Sequence, residues 1–92
     1  MARVEVTRHL FSFFPKLEGQ ELIVEAATVA DVVQKLEEMA PGIAFYLCDE
    51  LGRLRVHVNI FVDDHRVADR KGLSDPVTGD SRVFIAQALS GG

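Results

Sequence analysis

The residues Gln87-Ala88-Leu89-Ser90-Gly91-Gly92 close the sequence, and the group they deliver is a carboxylate on Gly92 with no side chain beside it. Such an α-carboxyl ionises at roughly 3.3–3.7, so near neutrality it is an anion and a poor electrophile. It can react only after activation as an acyl derivative. The other residues with chemical potential offer less. Cys48 stands beside Tyr46 and Leu47 with no histidine or lysine close in sequence to lower its pKa, which reads as a buried structural thiol. His9, His57 and His65 share no helical or hairpin ligand spacing and have no cysteine partner, so no metal site is expected. The acidic pairs Asp49-Glu50 and Asp63-Asp64 both fall where turns are expected, and turns commonly carry solvated carboxylates. No internal catalytic constellation emerges, and the domain reads as a substrate or carrier rather than an enzyme.

The body that positions this end is small. At 92 residues it makes one domain, and with 48% apolar and 26% charged residues it falls in the range of folded globular proteins. A net charge of −4 argues against nucleic acid as a partner, since counterion release requires a concentrated basic surface. A single cysteine excludes an internal disulfide. The start, Met1 to Phe14, interrupts its apolar residues with Arg3, Glu5, Arg8 and His9, so neither a secretory leader nor a membrane partner is expected, and the expected compartment is the cytoplasm.

Hydrophobic periodicity divides the chain into elements. Val4 and Val6 alternate with Arg3, Glu5 and Thr7, which predicts a half-buried strand over 3–7. A loop through Phe14 and Gly19 leads to a second strand over 21–25, an antiparallel partner for the first. Thr28 and Asp31 form a capping-box pattern ahead of Val29, Val32, Val33, Leu36, Met39 and Ala40, one face of a helix that Pro41-Gly42 ends. Asp31, Lys35, Glu37 and Glu38 are left for water. The run Ala44 to Cys48 fits either a strand or a helical turn. Residues 55–62 predict a strand with Val56, Val58 and Ile60 inward, followed by a turn at Asp63-Asp64 and a short edge segment at Val67. The last strand is expected from Arg82 to about Ala88, with Val83 and Ile85 inward and Phe84 and Ala86 outward.

Strand, strand, helix, then further strands suit an α+β architecture: a mixed sheet of four to five strands with one main helix on one face. The first and last strands can lie side by side at its centre only in parallel, with the helix carried across one face between them. That is the ubiquitin-like β-grasp. It is expected to occupy residues 1–88, with 89–92 a flexible tail.

A β-grasp order running into Leu89-Ser90-Gly91-Gly92, together with Val58-Asn59-Ile60-Phe61-Val62 and the turn to Val67, resembles the ThiS/MoaD family of sulfur-carrier proteins over nearly the whole chain. Asp64 stands where members often place glycine, Gly79-Asp80-Ser81-Arg82-Val83 is one residue longer than the common Gly-Asp-x-Val, and Gln87 replaces a frequent proline. The resemblance implies that the Gly92 carboxylate is adenylated by a ubiquitin-activating-type adenylyltransferase using ATP and magnesium, neither bound by the carrier itself. A sulfur donor protein then converts it to a thiocarboxylate, which serves a sulfur-accepting biosynthetic enzyme. Leu89, Ser90 and Gly91 would form the tail that enters the activating enzyme, glycine permitting close approach of the backbone. Four extended residues reach about 13–14 Å. Ordering them costs on the order of 1–2 kcal/mol per residue, so docking elsewhere must offset it. Phe61, Phe84 and Ala86 are the expected dock. A modifier conjugated to lysines through Gly92, or a non-covalent interaction domain that uses the same sheet face, are the competing functions.

Overall fold

Alternation at the start of the chain produces β1 (Ala2–Val6), in which Ala2 and Val4 are buried while Arg3 and Glu5 face water. The computed structural model describes residues 1–87. β2 (Leu22–Val24) pairs antiparallel with β1, Ala2 opposite Val24 and Val4 opposite Leu22. The connection expected as a loop contains two short 3-10 turns, Arg8–Ser12 and Pro15–Leu17, which bury Leu10 and Leu17.

The main helix, α1 (Val29–Met39), opens with the capping box its sequence predicts. Thr28 Oγ1 accepts from the Asp31 amide at 3.2 Å, and the Asp31 carboxylate accepts from Thr28 N at 3.2 Å. Val29, Val32, Val33 and Leu36 are buried. Glu37 departs from the expectation that it is left for water. Its carboxylate accepts from the amides of Gly42 at 3.0 Å and Ala44 at 2.9 Å, and thereby caps a second short helix, α2 (Ile43–Leu47). Those two amides hold the Glu37 carboxyl below its ordinary pKa. Gly42 reverses the chain between the helices at φ 102°, a conformation open to glycine. The run around Ala44 to Cys48 is therefore helical.

A strand over 55–62 is contradicted in its first half: β3 spans Val58–Val62, with Val58 and Ile60 fully buried, whereas Val56 is 93% exposed. Leu54 bridges to Cys48, and a turn closed by Val58 N on Arg55 O follows. The Arg55 guanidinium donates twice to Phe45 O, at 3.0 and 2.9 Å, and Arg70 donates to Arg55 O and Val58 O. Two arginines thus hold the backbone out of the ladder, and Val56 is displayed at the turn. Asp63 (φ 49°) and Asp64 (φ 73°) then make a two-residue hairpin turn of the mirror-image kind, which suits strand twist and which aspartate tolerates, leading into β4 (His65–Arg66).

Before β5 (Arg82–Gln87) the chain makes a loop organised by two carboxylates. Asp75 accepts from the amides of Ala68 and Asp69, both at 2.9 Å. Asp69 accepts from the Ser74 hydroxyl at 2.6 Å and from the amides of Lys71, Gly72 and Ser74. The Ser74 hydroxyl, followed by those amides, brings its pKa down to about 2. A carboxyl depressed on folding stabilises fully above its unfolded pKa of about 4, and that contribution disappears as pH falls through the folded value. Asp69→Asn is accordingly expected to lower Tm by a few degrees at pH 7. The gap to wild type should close between about pH 4 and pH 2 in melts followed by circular dichroism.

The five strands lie in the order β2-β1-β5-β3-β4, with β5 at the centre. β5 runs parallel to β1, from Arg3 opposite Arg82 to Val6 opposite Ile85, and antiparallel to β3, from Val58 opposite Gln87 to Val62 opposite Val83. Val4, Val58, Ile60, Val83 and Ile85 of the sheet join the α1 residues and Ile43 and Leu47 in one buried cluster. This is the β-grasp.

Candidate functional site

Period two in β5 sends Val83 and Ile85 into the core and leaves Phe84 on the other face, 41% exposed. Phe61 lies directly opposite Phe84 in the β3–β5 register, and the rings stack with centroids 6.3 Å apart and an interplanar angle of 27°. Cross-strand aromatic pairs of this kind contribute roughly 0.2–1 kcal/mol. The Arg66 guanidinium sits 5.9 Å from the Phe61 ring centroid. Glu5, Asp64 and Arg82 complete the wall of a shallow groove around the two rings. Ala86, two residues beyond Phe84 and opposite Asn59, is half-buried on the same face. The structure thus brings Phe61 and Phe84 into contact on the face turned away from the core, with mixed charges at their margin. Such an arrangement can accept an apolar anchor and fix its orientation through the rim.

β5 is followed to Gln87, and Leu89, Ser90, Gly91 and Gly92 lie outside the described residues. Gln87 is itself held from two directions that spacing alone does not reveal: by the hydroxyls of Thr7 and of Tyr46. Positions 7, 46 and 87 carry no shared pattern in the sequence. Only the fold collects them.

Cys48 is buried, and burial, reinforced by the neighbouring Asp49 carboxylate, raises its thiol pKa against the opposing pull of Arg55. Asp49 is occupied in its own turn, accepting from the amides of Leu51 and Arg53 and pairing with the Arg53 guanidinium at 3.1 Å. His9 packs edge-on against Phe13. No three His, Cys, Asp or Glu side chains converge among the described residues. No helix among them is long and apolar enough to cross a membrane.

No family model matches the sequence, and no curated protein matches it. Solved structures do. All of the chain aligns with all of a chain in the Amycolatopsis orientalis BexX/CysO complex, with TM-score 0.83 and 25% identity. Mycobacterium tuberculosis CysO, described as an antigen, matches over 97% of this chain and 100% of its own, with TM-score 0.82 and 28% identity. The small archaeal modifier protein 1 of Methanosarcina acetivorans shares the fold at 18% identity, with TM-score 0.77 over 99% of this chain and 95% of its own.

Proposed function

We propose that the chain is a ThiS/MoaD-like sulfur carrier that reacts through the carboxylate of Gly92, a reading supported by its full-length structural likeness to two CysO proteins. The observation that carries this reading is the placement of β5. The strand that leads toward Leu89-Ser90-Gly91-Gly92 lies at the sheet centre, and its outward side chain, Phe84, forms half of the aromatic pair. On this reading the dock and the reactive end belong to one strand and its continuation in the sequence.

The chemistry proceeds in two displacements on the partner adenylyltransferase. A Gly92 carboxylate oxygen attacks the α-phosphorus of ATP, pyrophosphate departs, and an acyl-adenylate forms. Hydrosulfide released by the donor then attacks the acyl carbon, AMP leaves with the bonding electron pair, the sulfur-bound proton passes to solvent, and a thiocarboxylate remains. Magnesium and ATP belong to the partner. The carrier contributes the carboxylate, two residues without Cβ atoms to enter the partner's channel, and an apolar face that offsets the cost of ordering the tail. That a CysO was solved in complex with BexX supports an enzyme partner for this chain as well.

Incubation with a ubiquitin-activating-type adenylyltransferase, ATP, magnesium and sulfide should yield, by intact mass spectrometry, a species with one oxygen replaced by sulfur at Gly92. An unshifted mass under conditions where the enzyme consumes ATP would sink the proposal. Lysine-linked conjugates that survive reducing denaturation in cells would instead assign the activated end to protein modification.

A further inference from the structure

Thr7 lies one residue beyond β1, where the chain turns away from the sheet: its carbonyl accepts from Leu10 N at 2.9 Å and so belongs to the 3-10 turn rather than to the ladder. The β1–β5 pairing would end there with the Gln87 amide unpaired on that side. The Thr7 side chain takes the missing place. Its Oγ1 accepts from Gln87 N at 3.0 Å and donates to Ile85 O at 3.1 Å, beside the Thr7 N to Ile85 O bond of 2.9 Å. From the other direction, Gln87 Nε2 donates to the Tyr46 hydroxyl at 2.9 Å. Tyr46, from α2, is in turn wedged between Phe13 and Phe14, with ring centroids 5.3 and 5.4 Å away. The last described residue of β5 is therefore clasped by the turn after β1 and by α2, besides its pairing with Val58 of β3.

We propose that Thr7 and Tyr46 are positioning residues for the reaction at Gly92: they fix Gln87 and with it the direction in which the chain leaves the sheet. The inference rests on the sulfur-carrier reading. Its physical basis is entropic, because a tail that starts from a fixed Gln87 has one residue fewer to order as it enters the partner's site, and freeing that residue should slow the docked reaction by roughly tenfold. Neither hydroxyl belongs to the Phe61–Phe84 groove, so docking and positioning separate in kinetics.

Thr7→Val keeps the shape and removes the hydroxyl, Thr7→Ser keeps the hydroxyl, and Tyr46→Phe removes only the phenolic oxygen. Single-turnover adenylation is expected to fall about tenfold in Thr7→Val and somewhat less in Tyr46→Phe, with KM for the carrier unchanged. Thr7→Ser should restore the rate. Hydrogen exchange followed by NMR should show the Gln87 amide exchanging about tenfold faster in Thr7→Val, with Val83 and Ile85 unaltered. Wild-type exchange at Gln87 in Thr7→Val, a retained rate, or a change confined to KM overturns the proposal while the sulfur-carrier reading stands. A wild-type chain that is never adenylated overturns both.

Discussion

A chain lacking Gly91 and Gly92 is expected to lose adenylation altogether while unfolding at the temperature of the full sequence. The two halves of this result come from different physics. The buried cluster runs from Ala2 to Ile85, and the sheet register ends at Gln87, so the described contacts that stabilise the fold owe nothing to the last two residues. Removing a reactive carboxylate, in contrast, leaves no atom in the position from which the α-phosphorus is attacked, since a chain ending at Ser90 is shorter by about 6–7 Å. The loss should be complete rather than partial, because docking energy cannot replace a missing nucleophile. Gly92→Ala provides the finer measurement. It keeps the length and the carboxylate and adds one methyl group at the point of closest approach, so a large fall in its rate locates the narrow part of the channel. Differential scanning calorimetry beside adenylate formation checks both halves. Full adenylation of the shortened chain would assign the chemistry to another group.

How far the molecule is legible from its residues depends on the range of the interactions that decide each part. The capping box at Thr28 and Asp31 and the apolar face of α1 are local, and both appear as the spacing predicts. The parallel pairing of β1 and β5 follows from element order and from the need to cover one sheet face. Val56 was beyond such reasoning: its alternation with Val58 and Ile60 is that of a strand, yet Arg70, fifteen residues away from Arg55, donates to Arg55 O and stabilises a turn instead. The same is true of Glu37, whose role as a cap depends on α2 folding back onto the end of α1. In the candidate site, the outward position of Phe84 is readable from period two, whereas its stacking on Phe61 depends on the β3–β5 register, which the mutual bonds of Asp63 and Arg82 pin at one end. Thr7 and Gln87, separated by 80 positions, meet only because β1 and β5 pair. The tail residues Leu89 to Gly92 are legible in sequence alone and lie outside the described part of the structure.

Replacing Phe84 by a charged residue should raise KM for activation by about thirtyfold or more and leave the maximal rate nearly intact. Truncating a central apolar anchor typically costs an interface at least about 2 kcal/mol, and a charge in its place adds the penalty of desolvating it. The fold should lose far less. Phe84 is 41% exposed and contributes its stack on Phe61 rather than a core contact, so about 1 kcal/mol, or a Tm drop of about 4–8 °C, is the expected cost. The sign of the new charge decides what kind of contact is lost. Glu5 lies opposite Phe84 across β1. Phe84→Glu places like charges side by side, whereas Phe84→Lys creates an ion pair with Glu5 on the sheet. If the partner reads the face by apolar contact, the two variants should raise KM alike despite their different stabilities. If it reads the rim charges, they should diverge, with one sign restoring affinity. Unchanged KM in both would remove the Phe61–Phe84 face from the interface and leave the partner to engage the carrier elsewhere.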